Sequence, residues 1–210
     1  MILLSHRGLW LTKAEQNTLK ALKNSFQKGF GCELDIRDHL GQLVISHDVS
    51  TEPSLLLEEV LQDYKKLNFD QPIAINIKAD GLQSRLKELI DKYSISNYFV
   101  FDMSVADTLG YEQQQIRFFT RQSEYEPQPP LYEKAGGVWL DCFESDWWTI
   151  EDVKPHIKNG KAVALVSPEL HKRDYLNAWE NWRKIERELA TDMLMLCTDF
   201  PEKAKEFFHG

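Results

Sequence analysis

The sequence predicts an α/β protein of the (β/α)8 TIM-barrel class, with a small hairpin extension after the second strand. Three observations carry that expectation. Eight short apolar runs alternate with helix-like segments along 210 residues. Such alternation builds parallel βα units, and this length lies near the lower size limit of a barrel made from eight of them. Every run meets a polar or charged group at its C-terminal end, where such a barrel assembles its site from all the strands. A doubly wound open sheet, the alternative, concentrates those groups near one switch point. No repeat, low-complexity segment or linker divides the chain, so residues 1–210 read as a single domain.

The elements follow in order. The first run, 2–5, leads into His6-Arg7, and a helix is expected over 17–28. The second run, 32–36, carries Glu33 and Asp35. The turn Asp38-His39-Leu40-Gly41-Gln42 and the short run 43–46 then make a hairpin that returns as His47-Asp48. A helix over 55–67 has Ser54 at the N-cap position, and the run 73–77 ends at Lys78. A helix over 82–93, the run 98–101 ending at Asp102, and a helix over 105–112 capped by Ser104 come next. The run 116–119 leads to Arg121. Residues 123–134 read as a helix that Pro127, Pro129 and Pro130 limit to a turn or two. The run 138–140 ends at Asp141, and a helix over 150–158 is capped by Thr149. The run 162–166 ends at Ser167 and Glu169. A long helix over 169–189, the run 194–197 ending at Asp199, and a last helix over 202–208 complete the chain.

Composition narrows the class of function. With 33 acidic against 25 basic side chains the net charge is -8, and no basic stripe is visible, which argues against a nucleic-acid partner. A few local Arg and Lys residues still suit a small anionic substrate. Cys32, Cys142 and Cys197 are odd in number, lack CxxC spacing and sit in apolar runs, so they read as buried reduced thiols. The opening residues lack a basic n-region and a long apolar core, and no stretch approaches the roughly 18 apolar residues of a transmembrane segment. The expectation is a soluble, cytoplasmic protein.

Side chains alternate across a strand, so Glu33 and Asp35 share one face while Cys32, Leu34 and Ile36 share the other. Two carboxylates on one inward face repel and are costly to bury; a divalent cation or a nearby guanidinium would relieve them. Oxygen ligands suit Mg²⁺ or Ca²⁺ better than zinc. The same parity puts Asn76 with Lys78, and His6 on the face of Leu4. Two histidines near an anion pocket suit general acid–base work at neutral pH. His39, His156, His171 and His209 read as solvated or structural.

His6-Arg7-Gly8, Asn17-Thr18, Glu33-x-Asp35, Gly41 and His47-Asp48 together resemble the N-terminal signature of the glycerophosphodiester phosphodiesterases, in order and spacing across residues 5–48. Asn76-Ile77-Lys78 falls where that family has an ExK strand, and Thr198-Asp199-Phe200-Pro201 resembles its closing TDxP element. The resemblance implies a TIM-barrel phosphodiesterase of lipid metabolism acting on a small-molecule phosphodiester. His6 and His47 would be the acid–base pair, Arg7 and Lys78 would hold the phosphate, and Glu33, Asp35 and Asn76 would bind Mg²⁺ or Ca²⁺. A neighbouring hydroxyl of the substrate would be the nucleophile.

Two positions depart from the pattern. Asn76 stands where the family has a third metal-binding glutamate, and Gln16 replaces the glutamate of ENT. Asp102 or Asp141 could compensate from neighbouring strand ends. Three readings follow: a metal-assisted diesterase, a metal-independent one like the related bacterial phosphatidylinositol-specific phospholipases C, and a non-catalytic barrel that binds a phosphorylated ligand. Retention of both histidines, Arg7 and Lys78 favours catalysis. Arg121 is a candidate second anion contact. Trp179 and Trp182, three apart on one helix, are expected in the core, and Trp147-Trp148 in loop packing.

Overall fold

The computed structural model describes residues 1–51, 54–67 and 69–210. Its elements run β1 (Ile2–His6), α1 (Leu19–Gln27), β2 (Gly31–His39), β3 (Gln42–Ile45), α2 (Leu57–Lys66), β4 (Ile73–Ile77), α3 (Gln83–Tyr93), β5 (Tyr98–Phe101), α4 (Val105–Gln113), β6 (Phe119–Gln122), β7 (Gly137–Leu140), α5 (Ile150–Lys158), β8 (Ala162–Val166), α6 (Leu176–Leu189), β9 (Leu194–Thr198) and α7 (Pro201–His209). Among the described residues the strands form a nine-stranded sheet in the order β5-β4-β2-β1-β9-β8-β7-β6, with β3 paired to β2 off that path. The βα alternation and this strand order are those of the expected (β/α)8 class. The chain divides into two units, Ser5–Phe118 and Met1–Leu4 with Phe119–Gly210.

In the unit Ser5–Phe118, β2 is parallel to β4, from Cys32 opposite Ile73 to Ile36 opposite Ile77, and β4 is parallel to β5. Leu34, Ile36, Ile73 and Ile75 on these strands are buried, as are Leu57 and Leu61 of α2 and Leu86 of α3. Phe26, Tyr64 and Phe69 make an aromatic cluster. Val100 bridges in parallel to Phe118, so the segment leading into β6 already runs beside β5. The hairpin is as expected: β3 pairs antiparallel with β2, and Leu40 and Gly41 both take positive φ (49° and 78°), as a tight two-residue turn requires.

The other unit pairs β6, β7, β8 and β9 in parallel. Trp179 and Trp182 are buried in its core; Trp182 stacks on Trp148 at 5.1 Å, and Trp179 Nε1 donates to Ser167 Oγ at 2.8 Å. His156 of α5 is buried between Tyr132 Oη (2.9 Å from Nδ1) and Gln122 Oε1 (2.8 Å from Nε2). Burial pushes its pKa below the usual imidazole value. The folded state therefore takes up the proton less readily than the unfolded chain, and stability falls as pH drops below the unfolded imidazole pKa. Urea unfolding at pH 7.5 and 5.5 is expected to show a smaller loss for His156→Gln than for the wild type.

Several local expectations are corrected. Residues 123–134 hold only a three-residue 3-10 turn, Tyr132–Lys134, because the prolines remove donors and restrict the residues before them. The expected helix over 169–189 is broken. A 3-10 turn, Pro168–His171, ends at Lys172 in a left-handed conformation (φ 62°), and α6 begins only at Leu176. Helix α1 starts at Leu19 because Asn17 is left-handed; Thr18 is the cap, accepting from Ala21 N. Ser54 does not cap α2: it bonds Ser50 Oγ at 2.7 Å, and Glu59 reaches back to the Leu56 N–H instead. Ser104 and Thr149 cap α4 and α5 as expected. The fifth run pairs as Phe119–Gln122, later than 116–119. All three cysteines are free and buried, and burial holds the Cys32 and Cys142 thiols at about 12. Among the described residues no helix is long and apolar enough to cross a membrane.

Candidate active site

The seven residues expected to act as acid–base pair, phosphate ligands and metal ligands (His6, Arg7, Glu33, Asp35, His47, Asn76 and Lys78) lie in the unit Ser5–Phe118. His6 is the last residue of β1, and the chain then reverses sharply. Arg7 has φ 59° and Gly8 φ 93°. The turn is held by backbone bonds from Arg7 N to Glu33 O (2.9 Å), from Leu9 N to Ala21 O (2.9 Å) and from Asn17 N to Arg7 O (2.9 Å). The indole of Trp10 donates to His6 O at 2.9 Å. A Cβ on residue 8 would lie 2.7 Å from the Ala21 carbonyl carbon, so only glycine lets the turn press onto α1.

Strand β2 delivers the two carboxylates on one face, as its alternation requires; Glu33 and Asp35 are 1% and 0% exposed. Asp35 is the hub. Its Oδ2 lies 2.8 Å from Arg7 Nε, an ion contact rather than an aligned hydrogen bond, and accepts from Asn17 Nδ2 at 2.8 Å. Its Oδ1 lies 3.4 Å from Lys78 Nζ. Lys78 follows β4, its N–H bonded to Ile36 O, and its ammonium is also 3.9 Å from Asp102 Oδ2. His6 Nε2 is 3.9 Å from Glu33 Oε2. The hairpin brings the second imidazole back: Ser46 N donates to Asp35 O at 3.0 Å, and His47 is the next residue. Arg37 Nη1 holds the His47 carbonyl at 3.2 Å, and His47 Nδ1 bonds Asp48 Oδ1 at 2.8 Å, which leaves Nε2 for a ligand. The His47 side chain is 48% exposed and Asp35 fully buried, so the site grades from a charged floor to an open imidazole.

Burial, and next the charge of Asp35, push the Glu33 carboxyl well above the usual carboxylate range, against the pull of His6, Arg7 and Lys78. Its pKa is higher folded than unfolded, so the neutral form is favoured by folding and its stabilisation is lost as pH rises. Glu33→Gln is therefore expected to stabilise the fold at pH 7.5 by about 1 kcal/mol or more, which raises the melting midpoint by a few degrees, and to have little effect at pH 4. Thermal melts at the two pH values check this.

Asp35 Oδ1 and Asn76 Oδ1 are both buried without a hydrogen-bond partner, and Asp35 and Asn76 are register neighbours across β2 and β4. Asn76 Oδ1 is thus orphaned and Asp35 Oδ1 has only the Lys78 ammonium at 3.4 Å; with Glu33 they make a hard oxygen donor set that fits an oxygen-preferring divalent cation. Among the described residues no group of three or more His, Cys, Asp or Glu side chains is placed to hold a metal ion, so Asn76 leaves the set one anion short.

The compensating carboxylates raised from the sequence are both engaged. Asp102, left-handed at φ 68°, contacts Lys78. Asp141, in the other unit, accepts from His171 Nε2 at 2.7 Å and from Cys142 N at 2.9 Å. Arg121 is taken by Glu126 and lies over the Phe143 ring, a pairing within its own unit. Sequence reasoning missed the clamp of Asn17 on Asp35. Its one signal is the place of Asn17-Thr18 in the signature, while the expected helix over 17–28 treats Asn17 as an ordinary first-turn residue.

No protein-family model matches the chain, and neither does any curated protein sequence. Solved structures do. A protein assigned as a glycerophosphodiester phosphodiesterase in Galdieria sulphuraria superposes with a TM-score of 0.79 at 20% identity, covering 100% of this chain and 98% of that one. An Oleispira antarctica phosphodiesterase, in complex with the product sn-glycerol-3-phosphate, gives 0.70 at 14% identity, with 100% and 97% covered. A glycerophosphodiester phosphodiesterase from Agrobacterium tumefaciens gives 0.66 at 16%, with 99% and 98% covered. At these identities the likeness establishes the fold.

Proposed function

We propose that the chain is a phosphoric diester hydrolase that cleaves a glycerophosphodiester or a related small phosphodiester by acid–base catalysis between His6 and His47. The observation that carries the reading is the gathering of Arg7 and Lys78 on Asp35, with His6 beside Glu33 and His47 one residue beyond the Asp35 contact. Two fixed cations can take a phosphate, and two imidazoles supply the base and the acid. The same-fold phosphodiesterase from Oleispira antarctica, whose product is sn-glycerol-3-phosphate, supports the substrate class.

In the proposed step one imidazole removes the proton of a neighbouring substrate hydroxyl, whose oxygen forms the new bond to phosphorus. The bond from phosphorus to the leaving oxygen breaks, and the other imidazole, protonated, hands its proton to the departing alkoxide, which leaves a cyclic phosphate. Hydrolysis to glycerol phosphate then requires water to add to phosphorus, losing its proton to that second imidazole, while the ring P–O bond breaks and its oxygen takes the proton held by the first. Arg7 and Lys78 hold the phosphoryl oxygens as charge builds. Glu33, Asp35 and Asn76 would hold Mg²⁺ or Ca²⁺, which supplies further charge stabilisation at phosphorus. One observation favours a metal-independent form of the same chemistry: Asp35 is already paired with Arg7 and Lys78. Three buried thiols are consistent with a reducing, cytoplasmic setting.

The test incubates the protein with glycerophosphocholine, glycerophosphoglycerol, lysophospholipids and polyol phosphate polymers, in Mg²⁺, Ca²⁺ or EDTA, and follows phosphorus NMR. The expected result is conversion of one diester to glycerol phosphate or a cyclic phosphate, lost in His6→Ala. A panel in which diesters raise the melting temperature yet none is consumed would establish a binding protein instead. Turnover that survives EDTA selects the metal-independent form.

A further inference from the structure

We infer that Asn17 is a positioning residue of this site: it fixes the Asp35 carboxylate and the Arg7 turn together, so that Arg7 is presented to the phosphate in one orientation. The inference rests on the phosphodiesterase reading above and adds to it a residue outside the proposed acid–base and phosphate-binding pairs. Asn17 lies between a 3-10 turn, Lys13–Glu15, and α1. Its φ of 58° is left-handed, a conformation that asparagine tolerates better than most residues. From there it makes three contacts with two separate parts of the site. Its backbone N–H holds the Arg7 carbonyl at 2.9 Å. Its side-chain Nδ2 donates to Asp35 Oδ2 at 2.8 Å, and its Oδ1 lies 3.4 Å from Asp35 N, a long bond.

The consequence is geometric. With Asn17 and Arg7 Nε both on Oδ2, the Asp35 carboxylate cannot rotate about its own axis without breaking a close contact, and Oδ1 stays turned toward Lys78. Asp35 is fully buried, so water cannot replace the Asn17 amide without rearrangement. Arg7 is itself in a left-handed conformation, and the bond from Asn17 N is one of those that hold it there. Loss of the amide frees one of the two contacts on Oδ2, and the guanidinium loses its fixed counter-ion geometry.

Two variants test this. Asn17→Gly keeps the left-handed backbone and removes the amide; Asn17→Asp keeps the shape and turns the donor into a carboxylate facing Asp35. Diesterase kinetics, calorimetric titration with inorganic phosphate and thermal melts are measured for each. The expected result is a kcat at least tenfold lower and a phosphate Kd about tenfold higher for both, with melting midpoints within a few degrees of the wild type. In an Asp35→Ala background, which leaves no acceptor for the amide, Asn17→Gly is expected to change phosphate affinity by less than twofold. The inference is overturned if both variants keep wild-type kcat and phosphate Kd. An equal fold-loss with and without Asp35, or a collapse of both variants' melting transitions, would also overturn it, since Asn17 would then serve the fold alone. If the wild type consumes no diester, the phosphodiesterase reading falls, while the phosphate titrations still decide the role of Asn17.

Discussion

Alanine in place of His6 or His47 is expected to lower diester turnover by two to four orders of magnitude, the usual contribution of a positioned proton donor or acceptor, with the fold intact. Neither side chain is a core element. His6 is partly exposed beside Glu33, and His47 stands at the end of the hairpin with about half its side chain in water. Melting midpoints should therefore move little. The two losses should not add: once one proton transfer is lost, the step limited by the other no longer sets the rate, so the double variant should resemble the worse single variant. His209→Ala is the control. Its ring bonds Met1 O, outside the unit that carries the site, and turnover should stay within about twofold of the wild type, since surface changes of this kind have small effects.

Gly8→Ala is expected to destabilise the protein by about 3 kcal/mol or more, a drop of roughly 10 °C in melting midpoint, and to abolish turnover in the molecules that remain folded. Two costs combine. At φ 93° any L side chain is strained, and the new Cβ would lie under 3 Å from three atoms of Ala21 and Leu22, two of them backbone atoms of α1 that cannot rotate away. Relief requires the turn to lift from α1, which carries Arg7 off Asp35. Gly29→Ala separates the two costs. It has a similar φ, 83°, but nothing within 4 Å of its Cβ, so only the conformational penalty of about 1 kcal/mol applies. Urea unfolding of the two variants, with turnover per folded molecule, checks both statements.

The strand–helix rhythm was legible because parallel strands are buried on both faces and so read as continuous apolar runs; 73–77, 98–101 and 162–166 match β4, β5 and β8 in full. The pairing of Glu33 with Asp35 on one face was legible for the same reason in reverse, since strand alternation is strict. Boundaries set by single-residue backbone choices were not. Asn17 and Lys172 take left-handed conformations that composition does not announce, and each ends or delays a helix that periodicity alone would continue. The candidate site was readable as residue types but not as partners. Asp35 as the counter-ion of Arg7 and Lys78 and the acceptor of the Asn17 amide depends on three loops meeting, and no spacing along the chain encodes which oxygen each donor takes. Arg121 shows the converse: a strand-end arginine suggested an anion contact, and a glutamate five residues on in a proline-bent loop takes it instead.

The proposed chemistry requires both imidazoles to face a single phosphoryl group held by Arg7 and Lys78. Titration of the protein with sn-glycerol 3-phosphate, followed by NMR of the imidazole protons assigned through His6→Ala and His47→Ala, tests this most directly. The account expects the His6 and His47 resonances to shift together and saturate with one common Kd, which rises sharply in Arg7→Ala. Shifts confined to one ring, saturation at two different concentrations, or binding indifferent to Arg7 would contradict it.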